Sequence, residues 1–113
     1  MTRTDYLQGT LDLLILQTLT AGPMHGYGIA RAIEQVTRKA LQIEEGSLYP
    51  ALHRMERKGW LASEWGRSEN NRRARYYGLT DEGRARLGSE TRQWNRFIEA
   101  VDRVLQPARE GSA

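Results

Sequence analysis

One short segment carries most of the polar chemistry of this chain. Read as a helix, residues 46–58 place Leu48, Leu52 and Met55 in one narrow sector that can pack on a core. The opposite side carries hydroxyl, aromatic, imidazole and guanidinium side chains: Ser47, Tyr49, Pro50, His53, Arg54 and Arg57. Such groups can contact phosphates and read base edges in a DNA major groove. The alternative is an ordinary amphipathic helix whose polar face is only solvated.

A predicted β-hairpin follows this helix. Gly59 is placed to end the helix just after its C-cap, and two strands rich in aromatic and apolar residues are expected over 60–65 and 73–79. Between them, Asn70 and Asn71 tolerate the left-handed backbone of a tight turn. The turn and second strand carry four arginines against one acid, Glu69: Arg67, Arg72, Arg73 and Arg75. A helix with a basic outer face followed by an arginine-rich, two-stranded hairpin is the layout of a winged helix.

The charge of the chain is concentrated in this helix and hairpin. Residues 46–77 hold seven cations and three acids, a net +4, whereas residues 1–45 sum to −1 and residues 78–113 to zero. A localised basic patch indicates a polyanionic partner. Double-stranded DNA is favoured over a membrane surface, because the segment lacks the large apolar face that interfacial helices need.

Composition excludes several classes of function. The chain has 113 residues, enough for one domain, and no cysteine, which excludes disulfides and thiolate metal sites and fits a cytoplasmic protein. His25 and His53 are the only histidines and are far apart in sequence, so we expect structural or surface roles and no metal. No nucleophile with a base and an acid partner is recognisable, so we expect neither an enzyme nor a cofactor. The apolar run over 11–19 is too short to span a bilayer.

The remaining segments predict helices around the basic segment. Leu11, Leu14, Ile15 and Leu19 mark a first helix that ends at Gly22-Pro23. A second helix is predicted with Ile29, Ile33 and Val36 inward, and with the 46–58 helix it forms a helix-turn-helix. Pro50 requires that the latter helix begin close to residues 45–47.

Thr80 is an N-cap signal for a long last helix over 81–105. Its apolar seam predicts a dimer interface: Leu87, Trp94, Phe97, Val101 and Val104. The alternative is that this seam packs entirely within the monomer. The expected organisation is a mainly α (α+β) chain with a winged helix-turn-helix domain over 1–79, a dimerisation helix over 80–105 and a flexible tail over 106–113.

Four motifs in this order resemble the PadR family of bacterial transcriptional regulators. They are Gly9-Thr10-Leu11-Asp12-Leu13-Leu14-Ile15-Leu16, His25-Gly26-Tyr27-Gly28-Ile29, Glu45-Gly46-Ser47-Leu48-Tyr49-Pro50-Ala51-Leu52-His53-Arg54 and Arg75-Tyr76-Tyr77-Gly78-Leu79-Thr80. The resemblance covers about residues 5–105, and the length is similar to that of the branch with a single C-terminal helix. One departure is Asn70-Asn71-Arg72, where relatives often have Gly-Gly-Arg.

The resemblance implies a two-fold dimer that binds an operator, usually to repress transcription. The predicted DNA contacts are Ser47, Tyr49, His53, Arg54, Arg57, Lys58, Arg72, Arg73 and Arg75. It also implies a small aromatic effector held between the first and last helices, with Leu13, Trp94 and Ile98 as candidate lining residues. The plain alternative is that Trp94 belongs to the dimer core. The competing function is a protein-binding or ligand-sensing module that does not read DNA.

Overall fold

The computed structural model describes the backbone of residues 3–106 and the side chains of residues 9–106. Its helices are α1 (Arg3–Thr18), α2 (Gly26–Val36), α3 (Glu45–Arg57) and α4 (Asp81–Leu105), and a short 3-10 helix, Leu19–Ala21, follows α1. Its strands are β1 (Met24–His25), β2 (Leu61–Arg67) and β3 (Arg73–Leu79). The mainly α winged-helix architecture is therefore as predicted, and most of the expected tail lies outside the described residues.

The sheet differs from the predicted two-stranded wing. Its three antiparallel strands have the order β1-β3-β2, and Met24 pairs with Tyr77 while His25 pairs with Tyr76. Gly22, at φ 128°, turns the chain after the 3-10 helix so that the next residues run extended along β3. A two-residue strand is too short to show an alternating pattern, so only its pairing partner reveals it.

The core lies where α1, α2, α3 and the base of the wing meet. Its fully buried members are Ile15, Leu16, Leu19, Ile29, Ile33, Leu48, Ala51, Leu52, Met55, Leu61 and Tyr77. Val36 was predicted to point inward and is instead 84% exposed. Val36 is the last residue of α2 and borders a groove between α1 and α2. The apolar spacing of α2 therefore extends one step beyond the part of the helix that packs in the core.

The ends of α3 follow from local chemistry. The helix begins at Glu45, as expected, although Pro50 lies in the second turn rather than the first. Because proline has no N–H, the Gly46 carbonyl loses its helical partner, and the exposed outer side of α3 allows water to replace it. At the other end Gly59 has φ 83°, a left-handed conformation that confirms its predicted role after the C-cap.

The last helix has the predicted limits and a tightly packed first turn. Thr80 Oγ1 accepts a hydrogen bond from the Gly83 N–H at 3.0 Å and donates one to the Gly59 carbonyl at 2.6 Å. A Cβ atom on Gly83 would lie 2.1 Å from the Trp60 carbonyl oxygen, so only glycine fits there. The first turn of α4 is thereby fixed against the start of the wing. Within the described part of the chain, no helix is both long and apolar enough to cross a membrane.

Candidate nucleic-acid interface

Helix α3 separates a buried apolar face from an exposed polar face. Leu48, Ala51, Leu52 and Met55 are buried, which confirms the predicted inward sector and adds Ala51 to it. The outward side chains of the predicted set are exposed: Ser47, Tyr49, His53, Arg57 and Lys58. The helix therefore presents hydroxyl, imidazole and cationic groups together on one surface.

Arg54 does not belong to that exposed face, and this corrects the expected placement. Its guanidinium forms an ion pair with the carboxylate of Asp12 in α1, and the two side chains are 21% and 12% exposed. Burial raises the pKa of the Asp12 carboxyl, while the hydrogen bond and charge of Arg54 oppose that rise. The helical spacing places Arg54 at the flank of α3. It does not show which neighbouring helix lies beside that flank, so the ion pair with α1 could not be predicted from it.

Glu56 lies on the flank of α3 opposite to Arg54. Residues two positions apart on a helix point about 160° apart, so Glu56 faces away from Arg54. Its carboxylate accepts hydrogen bonds from Ser63 Oγ and from Arg75 of the wing. These bonds, led by the one from Ser63, lower the pKa of Glu56. Polar contacts with α1 on one side and with the wing on the other thus fix the rotation of α3 about its axis.

Arg75 was expected to contact phosphate, but its side chain is turned toward this network. Its Nε donates to Ser63 Oγ at 2.8 Å, and Nη2 lies 3.4 Å from Glu56 Oε2. The side chain remains 42% exposed. Its first role in the structure is to join β3 to β2 and α3.

The wing turn uses the predicted asparagine. Asn71 adopts φ 58°, whereas Asn70 does not take a left-handed conformation. The Ser68 N–H donates to the Arg72 carbonyl at 2.9 Å, and Arg67 Nη1 donates to the Asn71 carbonyl at 3.2 Å. Arg72 and Arg73 are exposed. The turn is therefore closed by its own backbone, and these two arginines are presented to solvent.

Trp65 is a candidate site residue that was not predicted from the sequence. It lies opposite Arg75 in the β2–β3 register and is 55% exposed. The Arg73 guanidinium carbon lies 4.3 Å from the centre of its ring, and that of Arg75 lies 5.5 Å away. A signal was available, because the two-residue period of β2 puts Trp65 on the same face as buried Leu61 but nearer the tip.

A cleft of about 440 Å³ separates the wing from the N-terminal ends of α2 and α3. Tyr49 of α3 lies against Gly26, where a Cβ atom would be 2.7 Å from Tyr49 Cε1. His25 caps α2 by accepting a hydrogen bond from the Gly28 N–H at 3.0 Å, which gives it the structural role expected. Among the residues that the structure describes, the charged ones that line the cleft are three arginines and one acid: Arg72, Arg73, Arg75 and Glu69. Such a lining favours an anionic occupant.

Comparison with known proteins decides the family. The sequence profile of the transcriptional regulator PadR-like family matches residues 15–89. The chain belongs to the PadR family. A transcriptional regulator of Mycobacterium tuberculosis is 33% identical over 97 residues, which cover 86% of this chain and 87% of that protein.

Solved structures of transcriptional regulators share the architecture. A transcriptional regulator from Clostridium thermocellum aligns with a TM-score of 0.79 and 30% identity, covering 88% of this chain and 96% of that one. A PadR family regulator from Eggerthella lenta aligns with a TM-score of 0.75 and 33% identity, covering 91% and 88%. The chain is accordingly a transcriptional regulator of this family and not an enzyme.

The seam predicted on α4 divides into two parts in this PadR-family chain. Leu87 packs against the core of the same chain, so an intrachain contact already accounts for it. Farther along the helix, Trp94 is 37% exposed, Phe97 38% and Val104 76%, while Val101 is half-buried. The exposed part of the predicted dimer interface is therefore the second half of α4.

The three candidate effector-lining residues lie on the two helices expected to hold the ligand. Leu13 of α1 and Ile98 of α4 are half-buried, and α1 packs against α4. The Trp94 ring lies 5.9 Å from that of Phe97, tilted by 45°. An exposed aromatic pair is thus present on α4.

Proposed function

We propose that this PadR-family regulator is a homodimeric repressor that binds a pseudo-palindromic DNA operator. The observation that carries the proposal is the arginine-lined cleft between the wing and the N-terminal ends of α2 and α3. Regulators of this family bind DNA, and the cleft lies between the two elements that a winged helix uses for that purpose.

The exposed residues divide by chemistry into two sets of contacts. Ser47, Tyr49 and His53 carry the donors and acceptors suited to base edges in the major groove. Arg57, Lys58, Arg72 and Arg73 would contact phosphates and supply most of the sequence-independent affinity. Arg54 and Arg75 are proposed to orient α3 and the wing rather than to reach DNA, since each is already paired within the protein.

The second half of α4 supports dimerisation. Two apolar side chains near its end, Val104 and Leu105, are 76% and 71% exposed. Pairing two copies through this surface would remove it from water and present two α3 helices to DNA. In a two-fold dimer, half-sites would lie about 34 Å apart, one helical turn of DNA.

Binding of the chain to duplexes from the promoter of its own operon tests the proposal. We expect specific retardation below about 100 nM at physiological salt, and a footprint with two-fold symmetry. If the protein bound no promoter duplex more tightly than random DNA, the result would favour the alternative function, a protein-binding or ligand-sensing module. In a reporter strain, removing the regulator should raise transcription from that promoter, and a fall would contradict repression.

The wing assignment is tested by Arg72→Ala combined with Arg73→Ala. Losing two phosphate contacts should weaken binding to all duplexes alike and flatten the slope of log K against log salt by about two units. The matched control, Arg84→Ala with Arg92→Ala, removes the same charge from exposed positions on α4. If both double variants had the same effect, the wing arginines would act only through net charge.

A planar aromatic effector is proposed to release the repressor from DNA. The supporting observation is the partly exposed Trp94 beside Phe97 on the helix that packs on α1. Titration of planar aromatic compounds should quench tryptophan fluorescence of the wild type but not of Trp94→Ala. Quenching that survived the substitution would place the ligand at Trp60 or Trp65 instead.

A further inference from the structure

The tip half of the wing exposes a tryptophan that the core does not use. Trp65 is 55% exposed, although indole rings are usually buried or placed at interfaces. The other two tryptophans are already accounted for, since Trp60 packs on the core and Trp94 lies on α4. Because tryptophan is enriched at interfaces, an exposed indole ring that also lines a cleft is a candidate contact for a partner.

Two arginines lie over the Trp65 ring. The guanidinium carbons of Arg73 and Arg75 are 4.3 Å and 5.5 Å from its centre. A cation held over an aromatic face loses much of its freedom to rotate away, so the ring orients Arg73 before any ligand arrives. Arg75 is in addition tied to Ser63 and Glu56, which keeps the ring and its cations in one arrangement.

Trp65 also lines the cleft that faces α3. The same cleft is bordered by Tyr49 on α3, by Tyr27 at the start of α2 and by Arg72 at the turn. The indole N–H is a hydrogen-bond donor with no acceptor function, and the ring offers an apolar surface. A phosphate oxygen can accept the hydrogen bond of the indole N–H, and the face of a deoxyribose can pack on the ring. The positive lining selects for a polyanion.

We propose that Trp65 is a DNA-contacting residue of the wing, which lies against the sugar-phosphate backbone and holds Arg73 toward a phosphate. The inference rests on the proposed DNA-binding function. It adds an aromatic contact to a wing whose predicted contacts were all arginines.

Tryptophan fluorescence tests the contact directly. Wild-type emission is compared with that of Trp65→Phe, which keeps Trp60 and Trp94, so the difference between the two reports on Trp65. Binding of a promoter duplex is followed at the same time by the anisotropy of a dye attached to the DNA. We expect the Trp65 emission to be quenched or shifted in step with the anisotropy. Anisotropy that rises while the emission stays constant would overturn the inference and leave the proposed function intact.

Affinity measurements separate the ring from its N–H. Trp65→Leu should weaken duplex binding about threefold to tenfold, and Trp65→Phe should lie between it and the wild type. Trp60→Phe is the matched control, because this ring also has two cations near it, Lys58 Nζ at 4.8 Å and Arg86 Cζ at 4.7 Å from its centre, but is not among the described residues that line the cleft. Equal affinity of Trp65→Leu and the wild type would refute the contact.

Two further outcomes are informative. If the wild type binds no duplex at all, the proposed function fails and the inference fails with it. If Trp65 emission responds to a planar aromatic acid such as 2-naphthoic acid but not to DNA, the cleft is a small-molecule site and the inference is wrong. Circular dichroism of each variant checks that it is folded, which substitution at an exposed strand position should allow.

Discussion

The ion pair between Arg54 and Asp12 should be a measurable contributor to folding stability. We consider Arg54→Met, which keeps much of the side-chain volume and removes the charge. The Asp12 side chain is only 12% exposed, so its carboxylate would remain buried without a partner. Removing one member of a buried pair costs about 3–5 kcal/mol, and the partial exposure of both side chains places the expected loss near 2–3 kcal/mol.

The loss should depend on pH, because Asp12 can take up a proton. Burial already raises the pKa of this carboxyl, and Arg54 is the main opposing influence. Without Arg54 the pKa of Asp12 in the folded state should rise further above that of the unfolded chain. The folded protein then binds the proton more tightly, so this group favours folding increasingly as pH falls toward about 4. The deficit of Arg54→Met should be largest at neutral pH and shrink in acid.

Urea unfolding measures both the loss of stability and its dependence on pH. The protein concentration is kept fixed, because self-association would make the midpoint depend on it. The cycle of Asp12→Asn, Arg54→Met and their combination should show that the double variant loses about 1–3 kcal/mol less than the sum of the single losses. The control is Arg57→Met, an exposed cation on the same helix, which should change stability by less than about 0.5 kcal/mol. If Arg54→Met matched Arg57→Met and showed no pH dependence, the ion pair would be energetically irrelevant.

Glycine substitutions give two further predictions. Gly83→Ala should destabilise the fold by about 1–3 kcal/mol, because the added Cβ would lie 2.1 Å from a backbone oxygen. Gly88→Ala on the same helix should stabilise the fold by about 0.5–1 kcal/mol, because its Cβ would lie 3.5 Å from the nearest described atom, Arg92 Nη1. Thermal unfolding checks the pair, and equal shifts would refute the steric argument. Gly26→Ala should displace the Tyr49 ring and weaken duplex binding about tenfold in an anisotropy titration, and unchanged affinity would mean that this ring does not need its present position.

Helix α3, the wing and α4 could be predicted because their signals are local. The buried face of α3 follows from the spacing of Leu48, Leu52 and Met55, and its end follows from Gly59. The long helix follows from the cap at Thr80, which binds the Gly83 N–H as expected. Each of these signals involves residues within two turns of one another, so helical geometry alone converts them into structure.

Only the tertiary structure shows which residues are contacted by side chains at the edge of a helix or strand face. The sequence by itself determined the four helices, the hairpin, most of the inward positions and the concentration of positive charge in the helix and wing. Only the packing decided that Arg54 pairs with Asp12, that Arg75 joins Glu56, and that Trp65 faces the cleft. The physical reason is that periodicity reports which way a side chain points along its own element. It carries no information about the charge or distance of the neighbouring element that the side chain meets.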